Sequence, residues 1–142
     1  MLSINRQTDY ACRIILHLAT CSERVTAQEI ARQQLVPRAL ARRIVTRLAN
    51  AHLVIAGCGR EGGLELARPP SEISLLDVIE AIEGPLTPEA GIFYHPLRVP
   101  GVGGAAREAW VQACAAVIAE LSRVTFDKLS GGSVQGSAEK GS

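Results

Sequence analysis

The sequence predicts a mainly α-helical fold that contains one short β-hairpin, and three observations support this prediction. Apolar residues recur at helical spacing in several segments of the 142-residue chain. Two capping-box patterns, Thr26–Glu29 and Ser74–Asp77, mark the starts of helices. A turn rich in glycine, residues 57–63, separates two short apolar segments that are typical of strands. The predicted order is helix, helix, helix, hairpin, helix, loop and long helix.

The first three helices are predicted before residue 53. The first covers Thr8–Ala19, and the second begins at Thr26 and ends near Gln33. Pro37 is a favourable first residue for the third helix, because the N–H group that proline lacks would have no partner there. This third helix ends near His52, and its apolar stripe consists of Leu40, Ile44, Leu48 and Ala51.

The hairpin and the fourth helix follow. Leu53–Ala56 and Leu64–Ala67 are the predicted strands on either side of the glycine-rich turn. The fourth helix starts after Ser74 and ends at Gly84, and a loop rich in proline and glycine then extends to Gly104. Three helices followed by a hairpin are the order of a winged helix-turn-helix.

The last long helix, from about Ala105 to Arg123, carries apolar residues at alternating spacings of four and three, which is a heptad pattern. A seam of this kind favours packing against a partner helix, and it predicts a homodimer. The candidate dimerisation residues are Trp110, Cys114, Val117, Ile118 and Leu121.

Charge is distributed unevenly along the chain. The net charge is only +1, but the segment Ile30–Arg60 contains six arginines and no acidic residue, so the remainder carries −5. Segregation of this kind is expected of a face that binds phosphate groups. Arginine on the outer face of a helix can also donate two hydrogen bonds to guanine in the major groove. The candidate DNA-binding residues are Thr26, Gln28, Arg38, Arg42, Arg43, Thr46 and Arg60.

Each of these candidates has an expected role. The start of the second helix, with Thr26 and Gln28, offers backbone N–H groups to a phosphate, and Thr26 also serves as the cap. Arg60 lies at the hairpin tip, where it can reach a minor groove. Arg47 falls near the apolar edge of the third helix and is expected to extend to a phosphate or an acidic neighbour. A solvated basic helix face is the simpler alternative.

These patterns divide the chain into four parts. Residues 1–83 form the predicted winged helix-turn-helix DNA-binding domain, and residues 84–104 form a loop. Residues 105–129 contain the dimerisation helix and a short C-terminal helix. Residues 130–142 are rich in glycine and serine, and they are predicted to be a disordered tail.

Several classes of protein are disfavoured. The three histidines are far apart in sequence, and no nucleophile–base motif or phosphate-binding loop is present, so an enzyme is not expected. No apolar segment is long enough to span a membrane, and no secretory signal is recognisable, so a cytoplasmic location is expected. The four cysteines form no CxxC pair, and the sequence predicts neither a zinc site nor a disulfide framework.

The motifs together resemble those of the Rrf-type winged-helix transcription regulators. Their order and spacing, rather than any single motif, carry the resemblance over residues 1 to about 129. The matching segments are Asp9-Tyr-Ala11, Glu29-Ile-Ala31, Leu53-Val54, Gly62-Gly63-Leu64-Glu-Leu-Ala67, Glu72-Ile-Ser-Leu-Leu-Asp77-Val-Ile79 and Thr125-Phe-Asp-Lys-Leu129. The resemblance implies a homodimer that binds a two-fold-symmetric operator in double-stranded DNA, often as a repressor.

The chain departs from this family at several positions. Many members hold an iron–sulfur cluster through three cysteines in the loop before the long helix, but residues 85–104 contain no cysteine. Asp9 matches an oxygen ligand of some members, and His95 is the only other candidate ligand in the loop. Without the cysteines, neither a cluster nor another cofactor is expected.

Three further departures affect the DNA-binding half. Cys58 replaces a usual wing arginine, and Leu35 and His52 replace usual glycines. These two residues predict either backbone strain of roughly 1 kcal/mol each or a locally different backbone. The start of the recognition helix, Pro37–Ala41, also differs, which implies a different operator.

The sequence offers two candidates for the site that senses a signal and controls DNA binding. Cys58 lies beside Arg60 in a turn and is a candidate redox sensor, with an inert surface thiol as the alternative. A small ligand near Phe93, Tyr94 and His95 is another candidate effector. From a different class, the lost wing arginine favours a winged-helix protein-interaction module that does not bind DNA, whereas Arg38, Arg42 and Arg43 argue against that reading.

Overall fold

The computed structural model of this chain describes residues 5–57, 62–88 and 104–135. The mainly helical fold with one antiparallel hairpin is confirmed. The elements are α1 (Arg6–Thr20), α2 (Ala27–Gln33), α3 (Arg38–Asn50), β1 (Val54–Ala56), β2 (Leu64–Leu66), a 3-10 turn (Pro70–Glu72), α4 (Leu75–Glu83), α5 (Gly104–Arg123) and α6 (Phe126–Gln135).

The predicted helix starts differ in detail. At α4 the capping box is complete, because Ser74 Oγ accepts a hydrogen bond from the Asp77 N–H at 3.1 Å and the Asp77 carboxylate accepts one from the Ser74 N–H at 2.9 Å. At α2 only half of the predicted box forms. Thr26 Oγ1 accepts from the Glu29 N–H, but the Glu29 carboxylate accepts instead from the Gln33 amide. Pro37 was predicted as the first residue of α3, but it is the N-cap, and the helix begins at Arg38.

One hydrophobic core holds α1, α3, α4 and α6 together. Helix α1 buries the face that contains Ile14, Ile15 and Leu18. Phe126 of α6 is fully buried in the same core cluster. Helix α3 turns Ala41, Ile44, Val45 and Leu48 inward, so Leu40 is only half-buried. Burial of this stripe leaves the opposite face of α3 in solvent.

The residue after the C-cap of α2 and of α3 has a left-handed conformation: Leu35 at φ 55° and His52 at φ 58°. After α2, the Val36 N–H donates to the Ala31 carbonyl at 2.9 Å, and after α3 the Leu53 N–H donates to the Leu48 carbonyl at 3.0 Å. These are the long hydrogen bonds of the Schellman motif. The backbone therefore keeps the conformation that favours glycine, and the alternative of a locally different backbone is wrong.

The C-terminal segment is more ordered than predicted. Helix α6 continues to Gln135, so residues 130–135 of the segment predicted as a tail have helical backbone. The physical reason is its anchor: Phe126 is fully buried, and its N–H donates to the Ile73 carbonyl at 3.0 Å. The remaining tail residues, 136–142, lie outside the described residues.

Helix α5 packs against α4. Cys114 is fully buried within the protomer, so the structure assigns it to the protomer's own core. The other candidate dimerisation residues are half-buried, namely Trp110, Val117, Ile118 and Leu121. The described helices include none with the length and hydropathy that a membrane crossing requires.

Candidate nucleic-acid interface

The outer face of α3 presents the predicted recognition residues to solvent. Arg38, Arg42, Arg43 and Thr46 are all exposed, because the residues between them fill the core side of the same helix. Thr46 Oγ1 donates to the Arg42 carbonyl at 2.9 Å, which holds the hydroxyl against the helix. The first turn and the middle of α3 therefore form a basic surface.

The start of α2 lies directly beside this surface. Arg38 Nη2 donates a hydrogen bond to Gln28 Oε1 at 3.1 Å, so two of the predicted DNA-binding residues touch each other. Thr26 Oγ1 accepts a hydrogen bond at 3.1 Å from the Glu29 N–H, and this is the cap that the sequence predicted. Its hydroxyl hydrogen remains available for a further acceptor.

Two clefts meet at Arg42. The smaller, of about 70 Å³, lies between α2 and α3 and is lined by Ala27, Gln28, Arg38 and Arg42. The larger, of about 400 Å³, reaches from α3 to the base of the hairpin and is lined by Thr26, Ala27, Arg42, Val45, Ala56, Gly57, Gly62, Gly63 and Leu64. Arg42 thus stands at the centre of a surface that joins α2, α3 and the hairpin.

The segment before α2 adds a third, one-residue strand to the hairpin. Val25 pairs with Leu64 through two backbone hydrogen bonds of 3.2 and 2.7 Å. This pairing places Thr26 next to the hairpin, since Thr26 is the following residue. The pairing could not be predicted from the sequence, because one apolar residue between Arg24 and Thr26 is too short to produce a strand pattern.

Gly63 makes this close approach possible. A Cβ atom at Gly63 would lie 2.8 Å from Arg24 Cβ and 3.5 Å from the Arg24 carbonyl carbon. Arg24 Nη2 in turn donates to Glu65 Oε1 at 2.8 Å, across the same junction. That hydrogen bond and the attraction of the Glu65 carboxylate raise the pKa of Arg24. The absence of a side chain at residue 63 therefore fixes how the hairpin meets α2.

Arg47 differs from the other arginines of α3. Its Nη1 donates to the backbone carbonyl of Ile82, in the last turn of α4, at 2.8 Å. Within the protein its partner is therefore a carbonyl rather than the acidic neighbour or phosphate that the sequence suggested. By contrast, Arg42 and Arg43 make no hydrogen bond or ion pair with the described part of the chain.

The predicted hairpin-tip residues Cys58 and Arg60 lie outside the described residues, as do Phe93, Tyr94 and His95. The structure describes the other six of the seven predicted DNA-binding residues. Thr26, Gln28, Arg38 and Arg42 line the two clefts, and Arg43 and Thr46 are exposed on the outer face of α3.

Two of the three described thiols, those of Cys12 and Cys114, are poor metal ligands. Burial, assisted by the nearby Asp9 carboxylate, raises the pKa of the Cys12 thiol to about 11, so it stays protonated near neutral pH. Cys114 is fully buried in the packed core. Asp9 forms an ion pair with Arg13 at 2.8 Å. Within residues 5–57, 62–88 and 104–135, no three His, Cys, Asp or Glu side chains are grouped as a metal site requires.

The chain is similar in sequence to known transcriptional regulators. A family model described as "Rrf2: Iron-dependent Transcriptional regulator" matches residues 4–131. The chain is 33% identical over 135 residues to Rv1287 of Mycobacterium tuberculosis, which is named as an HTH-type transcriptional regulator; the match covers 94% of this chain and 84% of that protein. It is also 32% identical over 84 residues to the HTH-type transcriptional regulator NsrR of Oceanobacillus iheyensis, covering 58% of this chain and 57% of the relative.

Among solved structures, CymR, the global cysteine regulator of B. subtilis, superposes with a TM-score of 0.78 at 27% identity, covering 92% of this chain and 98% of CymR. The winged helix-turn-helix fold predicted from the sequence is thereby confirmed, and so is the prediction that the chain is not an enzyme. Together with the basic surface around Arg42, these matches show that the chain belongs to the Rrf2 family of winged-helix, DNA-binding transcription regulators.

Proposed function

We propose that this chain is a homodimeric, sequence-specific repressor that binds a two-fold-symmetric operator through α3. The observation that carries the proposal is the basic surface centred on Arg42. Arg38, Arg42 and Arg43 project from a helix whose other face is locked in the core, and no acidic residue occurs between Ile30 and Arg60. Guanidinium groups held in this way suit both phosphates and the edge of guanine.

The proposed dimer interface lies in the C-terminal half of the chain. Four residues of the apolar seam of α5 are only half-buried within one copy of the chain, so they retain surface that a second copy would bury; these are Trp110, Val117, Ile118 and Leu121. A two-fold dimer presents two α3 helices, which matches a symmetric operator with half-sites about one turn of DNA apart. Size-exclusion chromatography with light scattering should therefore show twice the chain mass of 15.1 kDa.

We also propose that this chain carries no iron–sulfur cluster, although the family description includes the word iron-dependent. Cluster ligands are thiolates, whereas Cys12 is held as a neutral thiol and Cys114 is enclosed in the core. Residues 85–104 contain no cysteine. Only Cys21 and Cys58 then remain as thiolate donors, which is fewer than the three cysteines that hold a cluster in the family, so the donor set does not fit a cluster. Anaerobically purified protein should be colourless and free of iron, and visible absorption with bound iron would contradict this.

The proposed effector acts on the segments beyond the described residues. Cys58, next to Gly59 and Arg60 in the sequence between the two strands, is a candidate redox sensor. If oxidation there controls binding, peroxide should weaken DNA binding of the wild type and leave Cys58→Ser unaffected. Equal peroxide effects on both proteins would rule out this sensor and favour a small ligand near Phe93, Tyr94 and His95.

The DNA-binding proposal is tested by removing the basic surface. The triple variant Arg38→Ala, Arg42→Ala and Arg43→Ala should lose binding to a duplex that the wild type selects from random-sequence DNA, while it remains dimeric. The matched control removes three positive charges from the C-terminal helices instead, at Arg107, Arg123 and Lys128. This control should bind within about threefold of wild type, because these residues belong to α5 and α6 and line neither of the clefts at Arg42.

The competing proposal is a winged-helix protein-interaction module. It predicts that the wild type enriches no duplex from the random pool and that the triple variant loses a protein partner instead. Enrichment of a symmetric duplex by the wild type, lost in the triple variant and kept in the charge-matched control, would exclude it.

A further inference from the structure

The carbonyl groups in the last turn of α4 have no positively charged side chain from the same helix beside them. The final carbonyl groups of a helix lack partners within it and form the negative end of its dipole. Basic side chains commonly lie there, but α4 has none in its last turn and instead carries Glu80 and Glu83. Gly84 caps the helix, and its N–H donates to the Glu80 carbonyl, whereas no backbone N–H of the described residues donates to the Ile82 carbonyl.

Arg47 of α3 supplies the missing cation from another helix. Its Nη1 donates to the Ile82 carbonyl at 2.8 Å, so one guanidinium satisfies an unpaired carbonyl and places a positive charge at the C-terminus of α4. Ile82 itself is buried against α3, which holds the carbonyl in place. Arg47 is therefore a capping residue for α4 that belongs to the recognition helix.

This contact is directional, unlike apolar packing. Ile44 and Leu48 of α3 lie in the same apolar core as Ile82 of α4, and apolar packing alone tolerates small sliding and rolling movements. A hydrogen bond requires a defined distance and angle. Arg38 lies nine residues before Arg47, which is about 13 Å along the helix axis, so a small rotation at one end displaces the guanidinium at the other.

We propose that Arg47 is a positioning residue: by holding α3 to the end of α4, it sets the orientation in which Arg38 and Arg42 meet the base edges of DNA. The inference rests on the proposed DNA-binding function and deepens it. It also gives a physical link between α3 and the loop that follows Gly84, since α4 ends where that loop begins.

If Arg47 positions α3, loss of its hydrogen bond should weaken specific DNA binding more than non-specific DNA binding. Base contacts depend on the exact placement of donors, whereas phosphate contacts tolerate displacement. Arg47→Met keeps the aliphatic stem and removes the donor. It should lower the ratio of specific to non-specific affinity about tenfold, with non-specific affinity changed by no more than about twofold. Arg47→Lys, which can still donate to the carbonyl, should keep the ratio within about twofold.

The experiment measures affinities for a duplex selected by the wild type and for a scrambled duplex of the same length, over a range of salt concentrations. Arg43→Met is the matched control on the same helix. If Arg43 contacts one phosphate in each half-site, its loss should reduce the slope of log affinity against log salt by about 1.8 per dimer. Arg47→Met should leave that slope within about 0.5 of wild type.

A second variant separates positioning from simple stabilisation of α4. Glu83→Lys, made in the Arg47→Met background, restores a cation to the last turn of α4 without restoring the tie to α3. Thermal stability should recover, and the specificity ratio should stay low. Recovery of the ratio together with stability would overturn the inference, because the role would then be stabilisation alone.

The two proposals can fail separately. A reduced salt slope for Arg47→Met, similar to that of Arg43→Met, would show that Arg47 contacts phosphate directly and would overturn the inference alone. An unchanged specificity ratio for Arg47→Met would do the same. A random pool from which the wild type enriches no duplex would overturn the proposed function, and the inference with it.

Discussion

Substitution of Gly63 by alanine should damage the junction between the hairpin and α2. The new Cβ atom would lie 2.8 Å from Arg24 Cβ, a distance that real side chains do not adopt. Arg24 must therefore move, and the Val25–Leu64 hydrogen bonds of 3.2 and 2.7 Å move with it. Overpacking costs about 1–3 kcal/mol, and a weakened backbone hydrogen bond adds to that. The free energy of unfolding should fall by about 2 kcal/mol.

Thermal and urea denaturation at one fixed protein concentration test this estimate, which corresponds to a fall in Tm of about 8 °C. Affinity for a selected duplex should fall as well, because the moved junction carries Thr26. Gly131→Ala is the matched control, since Gly131 lies within α6 and nothing would touch a Cβ atom there. It should stabilise the protein by about 0.5–1 kcal/mol. A Gly63→Ala protein as stable as wild type would refute the reasoning.

Two further predictions concern strain and titration. Leu35 is 86% exposed in a left-handed conformation, so Leu35→Gly should raise the free energy of unfolding by about 1 kcal/mol in urea denaturation; a decrease would show that the side chain makes a stabilising contact. Burial raises the pKa of Cys12 from 9.0 to about 11, so the unfolded chain ionises first and stability falls as pH rises from about 9 to about 11. In Cys12→Ala, urea denaturation over that pH range should show a smaller fall in stability; an equal fall in both proteins would contradict the assignment.

Most of the fold could be predicted from local signals. The capping box at Ser74, the helix end at Gly84 and the two strands beside the glycine-rich turn are encoded within a few residues, and the structure confirms them. The outer face of α3 could be predicted for the same reason, because helical periodicity separates arginines from apolar residues. The left-handed residues Leu35 and His52 were identified only through the resemblance to a family with glycine there.

The rest depends on contacts between distant parts of the chain. Val25 pairs with Leu64, and Arg47 binds the Ile82 carbonyl, yet neither residue carries a local pattern that names its partner. The order of α6 beyond residue 130 likewise arises from Phe126, which enters a core formed by α1 and α4. Composition alone favoured disorder in that segment, because glycine and serine are weak helix formers.

The central claim is that α3 and its neighbours form a specific DNA-binding surface, and the most direct test is the salt dependence of binding to a selected duplex. Each arginine that neutralises a phosphate contributes about −0.9 to the slope of log affinity against log salt. With at least four phosphate contacts per dimer, the wild type should show a slope near −4 or steeper, and the triple variant at Arg38, Arg42 and Arg43 a much shallower one. A wild-type affinity that does not change with salt would contradict the account.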